Sequence, residues 1–397
     1  MTRPELWDLF ASHPIADALF PYLTVADVYK LHRVCKPLQS SVLRLQDTYL
    51  NIHCALKDFV TRPDSFRYNL GRAKALIIGP FVVNFLGYRQ HDNTFLDILV
   101  EQGPPANNLI QYLCVEEPYQ NAGSSEVGNQ LILSRPGFTT KIRVTETDKT
   151  PIHTLLERSY TTLDLCFMSW NKLYVMFPLA TLVHHQFWPL RELDDIFGAR
   201  LNDLATQGWT TRDLVWVDFA KELLSGLGAR RVGDENSLAM PLMPALACTG
   251  LTPDYVLELS EFDVNTRVPV QTVASFATDQ RRLFPQLQPN AAQNRNAARA
   301  PELMIKLEEL KSPSLRHRYT TSESGAWHGF ALKRLKRWTE VELYKMDRDK
   351  RPTNFPGSPL PSDFELPATW DSADDQMPIW YRECHSKNDP CKLTLLS

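Results

Sequence analysis

The chain has 397 residues, 43% of them hydrophobic and 22% charged, which is enough apolar material for two or three packed units and excludes disorder as the default. A formal charge of -3, from 43 basic and 46 acidic side chains, gives no global attraction for nucleic acid, so contact with it would need a local patch. No apolar run reaches the ~18 residues of a spanning helix, and the opening MTRPELWDLF lacks the apolar core of a secretory leader. The expectation is therefore no membrane contact and a cytoplasmic or nuclear location. The seven cysteines are dispersed without a CxxC pair, the pattern of buried thiols in a reducing compartment rather than of disulfides or a zinc site.

Residues 1–50 read as a short helical segment. Thr24 is placed to cap a helix whose third position is Asp27, a capping box with the shorter acid. Val28, Leu31, Val34 and Cys35 follow at helical spacing until Pro37, which ends or kinks the helix. The order Pro14-Ile15, Leu19 to Leu23, Asp27-Val28, Leu31 and Val34-Cys35 resembles the start of an F-box, a three-helix adaptor module. That resemblance implies that Pro14, Leu19, Leu23, Val28, Leu31 and Val34 face a Skp-type adaptor of a cullin ubiquitin ligase. The alternative is a helical cap packed on the next domain.

From residue 51 the pattern changes. A helix over NIHCALKDFVTRPDSFRYNLG leads to the strand AKALIIG, then a helix PFVVNFLGYR opened by proline, then the strand TFLDILVE. Strand, helix and strand in so short a span predict a mixed sheet with a crossover helix. QGPPANN and EEPYQNAGSSEVG read as loops, 129–135 and 138–147 as strands, and 152–178 as helical or mixed. ELDDIFGARLNDLATQGW and DLVWVDFAKELLSGLGARR read as helices, SLAMPLMPAL and DYVLELSEFDVNTRVPVQTVASF as extended, and PELMIKLEELKSPSLRHRY as a helix after a polar loop at 288–299. In RPTNFPGSPLPSDFELPATW, residues 351–370, proline and glycine are too frequent for a regular element. The expected fold class is α+β: a helical segment over 1–50, a mixed-sheet core over 51–245, and a C-terminal extension over 246–397 packing on that core.

The acids of TFLDILVE raise the functional question. Nucleotide transfer requires a divalent metal such as Mg2+, held by two or three carboxylates converging on one point. Acids at i and i+2 of a strand achieve this because alternate side chains share a face. Here Asp97 is followed by Leu99. Glu101 shares the nominal face but lies on the order of 13 Å along the strand, and Asp92 sits in the preceding turn. Asp164, in the apolar run TTLDLCF, is a further candidate. Arg143 sits at the centre of TKIRV, where a neighbouring strand would supply a third acid; it would pair with Asp97 or contact an anion without metal. Gly79 permits a close approach to phosphate or a plain strand-to-helix turn, and Pro80 lacks an N–H to offer it.

The arrangement AKALIIGPFVVNFL, FLDILV, and KIRVTETDKTPIHTLLERSYTTLDLCFMSWNKLYVMFP resembles a fungal family with a nucleotidyltransferase-like core that often follows an F-box-like segment. By that resemblance Gly79 stands at the turn after the first strand, Asp97 at the first acid of the paired motif, Leu99 at the second and Arg143 at the third. The similarity continues through NKLYVMFPLATLVHH, GWTTRDLVW and RRVGDENSLAMPL to about residue 242.

Three functions follow as expectations. The first is a non-catalytic interaction module without cofactor, acting as a substrate adaptor of a cullin-type ligase and holding a protein substrate through its main body. The second is a divergent Mg2+-dependent nucleotidyltransferase acting on protein, RNA or a small hydroxyl acceptor, with Asp97 as metal ligand joined by Asp92, Glu101 or Asp164, and with Gly79 and Arg143 at the nucleotide. The third is a structural or toxin-like interaction protein. His184-His185 invites a metal reading, but adjacent side chains diverge. In HGFALKRLKRWTEVELYKMDRDKR, the helical period turns Phe330, Leu332, Leu335 and Trp338 inward and leaves Lys333, Arg334, Lys336 and Arg337 around the helix. His317, Trp327 and His328 extend the same basic and aromatic stretch, the one candidate nucleic-acid surface.

Overall fold

The structure, a computed structural model, describes residues 23–27, 30, 50–87, 94–125, 129–211, 227–246, 250–266, 303–323, 325–352, 355, 360 and 364–387. Pro14, Leu19, Val28, Leu31, Val34, Asp92 and the 288–299 loop lie outside the described residues. The chain divides into two compact units, one within 1–227, 233–252 and 265–304 and the other within 228–232, 253–264 and 305–397.

The first unit begins with α1 (Ile52–Leu56), where the Asn51 side chain caps the N–H groups of His53 and Cys54. Next come α2 (Pro63–Ala73), β1 (Leu76–Ile78), α3 (Pro80–Leu86), β2 (Phe95–Glu101) and α4 (Pro104–Val115). Strands β3 (Gln120–Ser125), β4 (Gln130–Ser134) and β5 (Lys141–Thr147) precede α5 (Pro151–Arg158). A 3-10 turn (Thr162–Leu165), β6 (Cys166–Met168), β7 (Lys172–Val175), a π-helical turn (Leu179–His184), β8 (Gln186–Phe187), α6 (Asp195–Thr206) and β9 (Thr210–Thr211) follow. After β10 (Gly228–Arg231), which belongs to the second unit, β11 (Leu238–Pro241) returns to the first.

Eight strands form one mixed sheet in the order β11-β7-β6-β1-β2-β5-β4-β3. The β2–β5 pair is parallel; β1 runs antiparallel to both β2 and β6. One face is buried. Leu96, Ile98 and Val100 of β2 and Ile142 and Val144 of β5 share a core with Phe66 and Leu70 of α2, Phe81 and Leu86 of α3, and Leu109 and Leu113 of α4. Each such side chain contributes about 1.5–3 kcal/mol of transfer free energy. The alternate residues Phe95, Asp97 and Glu101 are half-buried, which sets the two faces of one strand apart. Arg67 ties β11 into this unit by donating to the carbonyls of Trp170, Leu242 and Pro244 at 2.8, 3.2 and 2.7 Å.

The second unit holds α7 (Asp254–Glu258), β14 (Glu308–Leu310), β15 (Tyr319–Thr321), α8 (Ala326–Lys345) and α9 (Met377–Lys387), with the larger part of β12 (Glu261–Thr266) and the end of β13 (Leu303–Lys306). Strands pair in the order β10-β12-β13, and β14 with β15. Trp327, Ala331 and Leu335 of α8 pack with Met377 and Trp380 of α9. Asp374 accepts from the N–H groups of Arg316 and His317 and from the Tyr319 hydroxyl at 2.7, 3.3 and 3.0 Å.

Several local expectations are corrected. PPANN opens α4 rather than a loop, because two prolines occupy the first helical positions after Gly103 at φ 94°. Part of EEPYQNAGSSEVG forms edge strand β3, whose polar residues are tolerated because an edge strand is only half covered. PELMIKLEEL contains β13 and β14 rather than a helix, since strand pairing overrides its helical propensity. In DYVLELSEFDV a short helix precedes β12. Leu332 is 41% exposed and Trp327 is buried: the inward face of α8 follows Trp327, Ala331, Leu335 and Glu342, which turns Leu332 outward and removes Trp327 from the candidate nucleic-acid surface. Of the four described cysteines, all free, Cys166 and Cys384 are buried while Cys54 and Cys114 are exposed. No helix among the described residues is long and apolar enough to cross a membrane.

Candidate functional site

The site is built at the end of β1. Gly79 leaves the strand at φ 78° and ψ -155° as the N-cap of α3, with Pro80 in the first turn. This backbone is open to glycine and strained for other residues. A Cβ at Gly79 would also meet the Oδ2 of Asp97 at 2.9 Å, so the glycine is required twice over, by its dihedrals and by the acid beside it.

Strand register brings Asp97 opposite Ile78 of β1 and opposite Arg143 of β5. The guanidinium grips the carboxylate with both prongs, Nε to Oδ1 at 2.5 Å and Nη2 to Oδ2 at 3.1 Å. Asp97 is 14% exposed and Arg143 35% exposed at the side chain. Such a two-pronged pair is a strong form of charge-assisted hydrogen bond. Arg143 also lies over the Phe95 ring at 4.8 Å, with the Lys141 ammonium 6.0 Å from the same ring. The half-open face thus presents an ion pair flanked by an aromatic side chain and a second cation. A divalent ion at Asp97 would have to approach a carboxylate whose charge is already answered by a fixed cation.

The other candidate acids do not gather there. Leu99, two residues on from Asp97 in β2, is buried. Glu101 stands at the far end of β2 in register with Thr147 and has an interaction of its own. Asp164 forms a capping box in the 3-10 turn: its carboxylate accepts from the N–H groups of Tyr160 and Thr161 at 3.1 and 2.9 Å and pairs with Arg200. That set of bonds is the work of a structural acid. Among the described residues, no three His, Cys, Asp or Glu side chains converge on a point that would hold a metal ion.

Phe95 and Lys141 escaped the sequence reading. Their signal was present in the period of two, which sets Phe95 on the face of Asp97 and Lys141 on the face of Arg143. At the N-terminal segment, Leu23 is half-buried and Val25, 2% exposed, belongs to the core of the first unit. Thr24 and Asp27 do form the reciprocal box, with the Thr24 N–H and hydroxyl reaching Asp27 Oδ2 at 2.9 and 2.7 Å and the Asp27 N–H returning to Thr24 Oγ1 at 3.2 Å.

No known protein family matches the chain, and no curated protein matches it either. Among solved structures, the chain is similar to a CCA-adding enzyme in complex with CTP, at 20% identity and a TM-score of 0.22, over 30% of this chain and 28% of that one. So slight an overlap carries no argument, and the weight rests on the geometry above.

Proposed function

We propose that the eight-stranded sheet is a nucleotidyltransferase-like scaffold in which the metal-binding acid has become half of an ion pair, and that the protein acts as a non-catalytic interaction module. The observation that carries this reading is the two-pronged Asp97–Arg143 pair, together with Leu99 at the position of the second acid. Such a face keeps the strand, glycine turn and helix of a transferase while its central carboxylate binds an arginine. In the full form of the proposal, residues 1–50 are an F-box-like segment that engages a Skp-type adaptor of a cullin ubiquitin ligase, and the main body holds the protein substrate.

Two measurements test it. Full-length protein is incubated with Mg2+ or Mn2+, each labelled nucleoside triphosphate, and protein and RNA acceptors. The expectation is no transfer that depends on Asp97, and transfer that disappears in folded Asp97→Asn would overturn the assignment. For the adaptor, co-purification with a Skp-type protein is expected, and failure of direct binding at micromolar concentrations removes that part while leaving the scaffold reading intact.

A further inference from the structure

At the C-terminal end of α3, the first unit bears an open cavity of about 750 Å³ on its surface. Val83 and Leu86 of α3 form one wall, and Leu182 and Val183 of the π-helical turn form another. The volume is in the range of small-molecule sites, and the lining sets Thr24, Asn84, Thr181 and Gln207 among the aliphatic side chains.

Two backbone features converge on this cavity. The turn Leu179–His184 is π-helical, with the His185 N–H donating to the carbonyl of Ala180 five residues back; such turns are rare and frequently mark functional sites. His185 then adopts φ 52° and ψ 45°, a left-handed conformation that glycine takes freely and histidine only at a cost. The conformation sets the imidazole 5.5 Å from the Trp209 ring at an interplanar angle of 51°. The parallel β8–β9 pair, with the Thr210 N–H on the His185 carbonyl at 3.2 Å, holds the two rings side by side. This left-handed residue ends the turn as Lys74 ends α2, and it leaves the exposed imidazole at the rim of the cavity. Asp27 and Lys30, three residues apart on the remaining wall, offset one another, so the wall offers an ion little net attraction.

We propose that this cavity binds an uncharged planar aromatic or heteroaromatic molecule, its ring held against the Trp209–His185 pair and its edges against the aliphatic walls of α3 and the π-helical turn. The site is independent of Asp97 and stands whether or not the transferase-like face is inactive.

The full chain is titrated with the neutral fluorophore N-phenyl-1-naphthylamine, with thermal unfolding followed in parallel. Saturable one-to-one binding is expected. His185→Gly removes one ring and relieves the left-handed strain, so its melting temperature should hold or rise while its Kd weakens by about tenfold. Trp209→Leu, which keeps apolar bulk, should weaken binding by about the same factor, and Leu332→Ser, an exposed site in the second unit, should leave it unchanged. Absence of saturable binding, or an unaltered Kd in folded His185→Gly and Trp209→Leu, overturns the proposal. Tighter binding of the anionic anilinonaphthalene sulfonate than of the neutral probe overturns the assignment of an uncharged ligand.

Discussion

Two carboxylates of the same unit are answered in opposite ways. Glu117 is fully buried and accepts from the Thr61 N–H and hydroxyl at 2.6 and 2.5 Å, the Arg62 N–H at 3.0 Å and the Tyr112 hydroxyl at 3.2 Å, with Arg135 3.5 Å away. Burial alone would raise its pKa, but the bonds from Thr61 and Arg62 outweigh burial and hold it below the usual carboxylate range. Asp97 is held on a half-open face by one arginine side chain. The contrast separates two uses of an acid: Glu117 fastens the segment before α2 to the end of α4 through backbone donors that no side-chain substitution can remove. Asp97, by contrast, depends on one replaceable partner.

The largest effect is expected at Glu117. Replacing it with alanine strands the Thr61 and Arg62 donors and the Arg135 charge, and should cost about 3–5 kcal/mol in urea unfolding. A cost near that of an ordinary surface substitution would erase the contrast.

A second effect concerns α5, which packs against β2. His153 is buried on this helix, and burial first, then Lys149, pushes its pKa down to about 4 while Glu157 opposes them. The unfolded chain takes up this proton as pH falls below its ordinary value of 6.5, and the folded chain resists doing so. This contribution to stability is therefore complete above pH 6.5 and is lost as pH falls toward 4. Thermal unfolding across that window should reveal a loss of about 1–3 kcal/mol, and folded His153→Gln should lack that component. An identical pH dependence in the variant would place the proton uptake elsewhere.

The smallest effect belongs to Asp97→Asn. Asparagine keeps the shape and one acceptor beside Arg143 but removes the charge, so a loss of about 1–2 kcal/mol is expected, with partner binding retained. A loss as large as that at Glu117 would make Asp97 a structural acid of the same kind and leave the Asp97–Arg143 face without functional meaning.

Short-range pattern made much of this molecule legible. The apolar alternation of Leu96, Ile98 and Val100 marks β2, Gly79-Pro80 marks the turn into α3, and Thr24 with Asp27 marks a helix start, because each reflects dihedral preference or local capping within a few residues. Leu99 and Arg143, the residues near Asp97, were equally visible as residue types. Short-range pattern misled at PPANN and at PELMIKLEEL, where prolines able to open a helix read as a loop and residues with helical propensity were recruited as strands.

What the tertiary structure alone decided are the meetings of residues far apart in the chain. Asp97 faces Arg143 because β2 and β5 pair in parallel in one particular register, and a slip of one residue would turn Arg143 to the other face of the sheet. His185 meets Trp209 because β8 and β9 lie side by side. Residue identity determined which chemistry this chain has available; strand register, set by burial of one face across the whole sheet, determined that the acid at position 97 met an arginine rather than another acid.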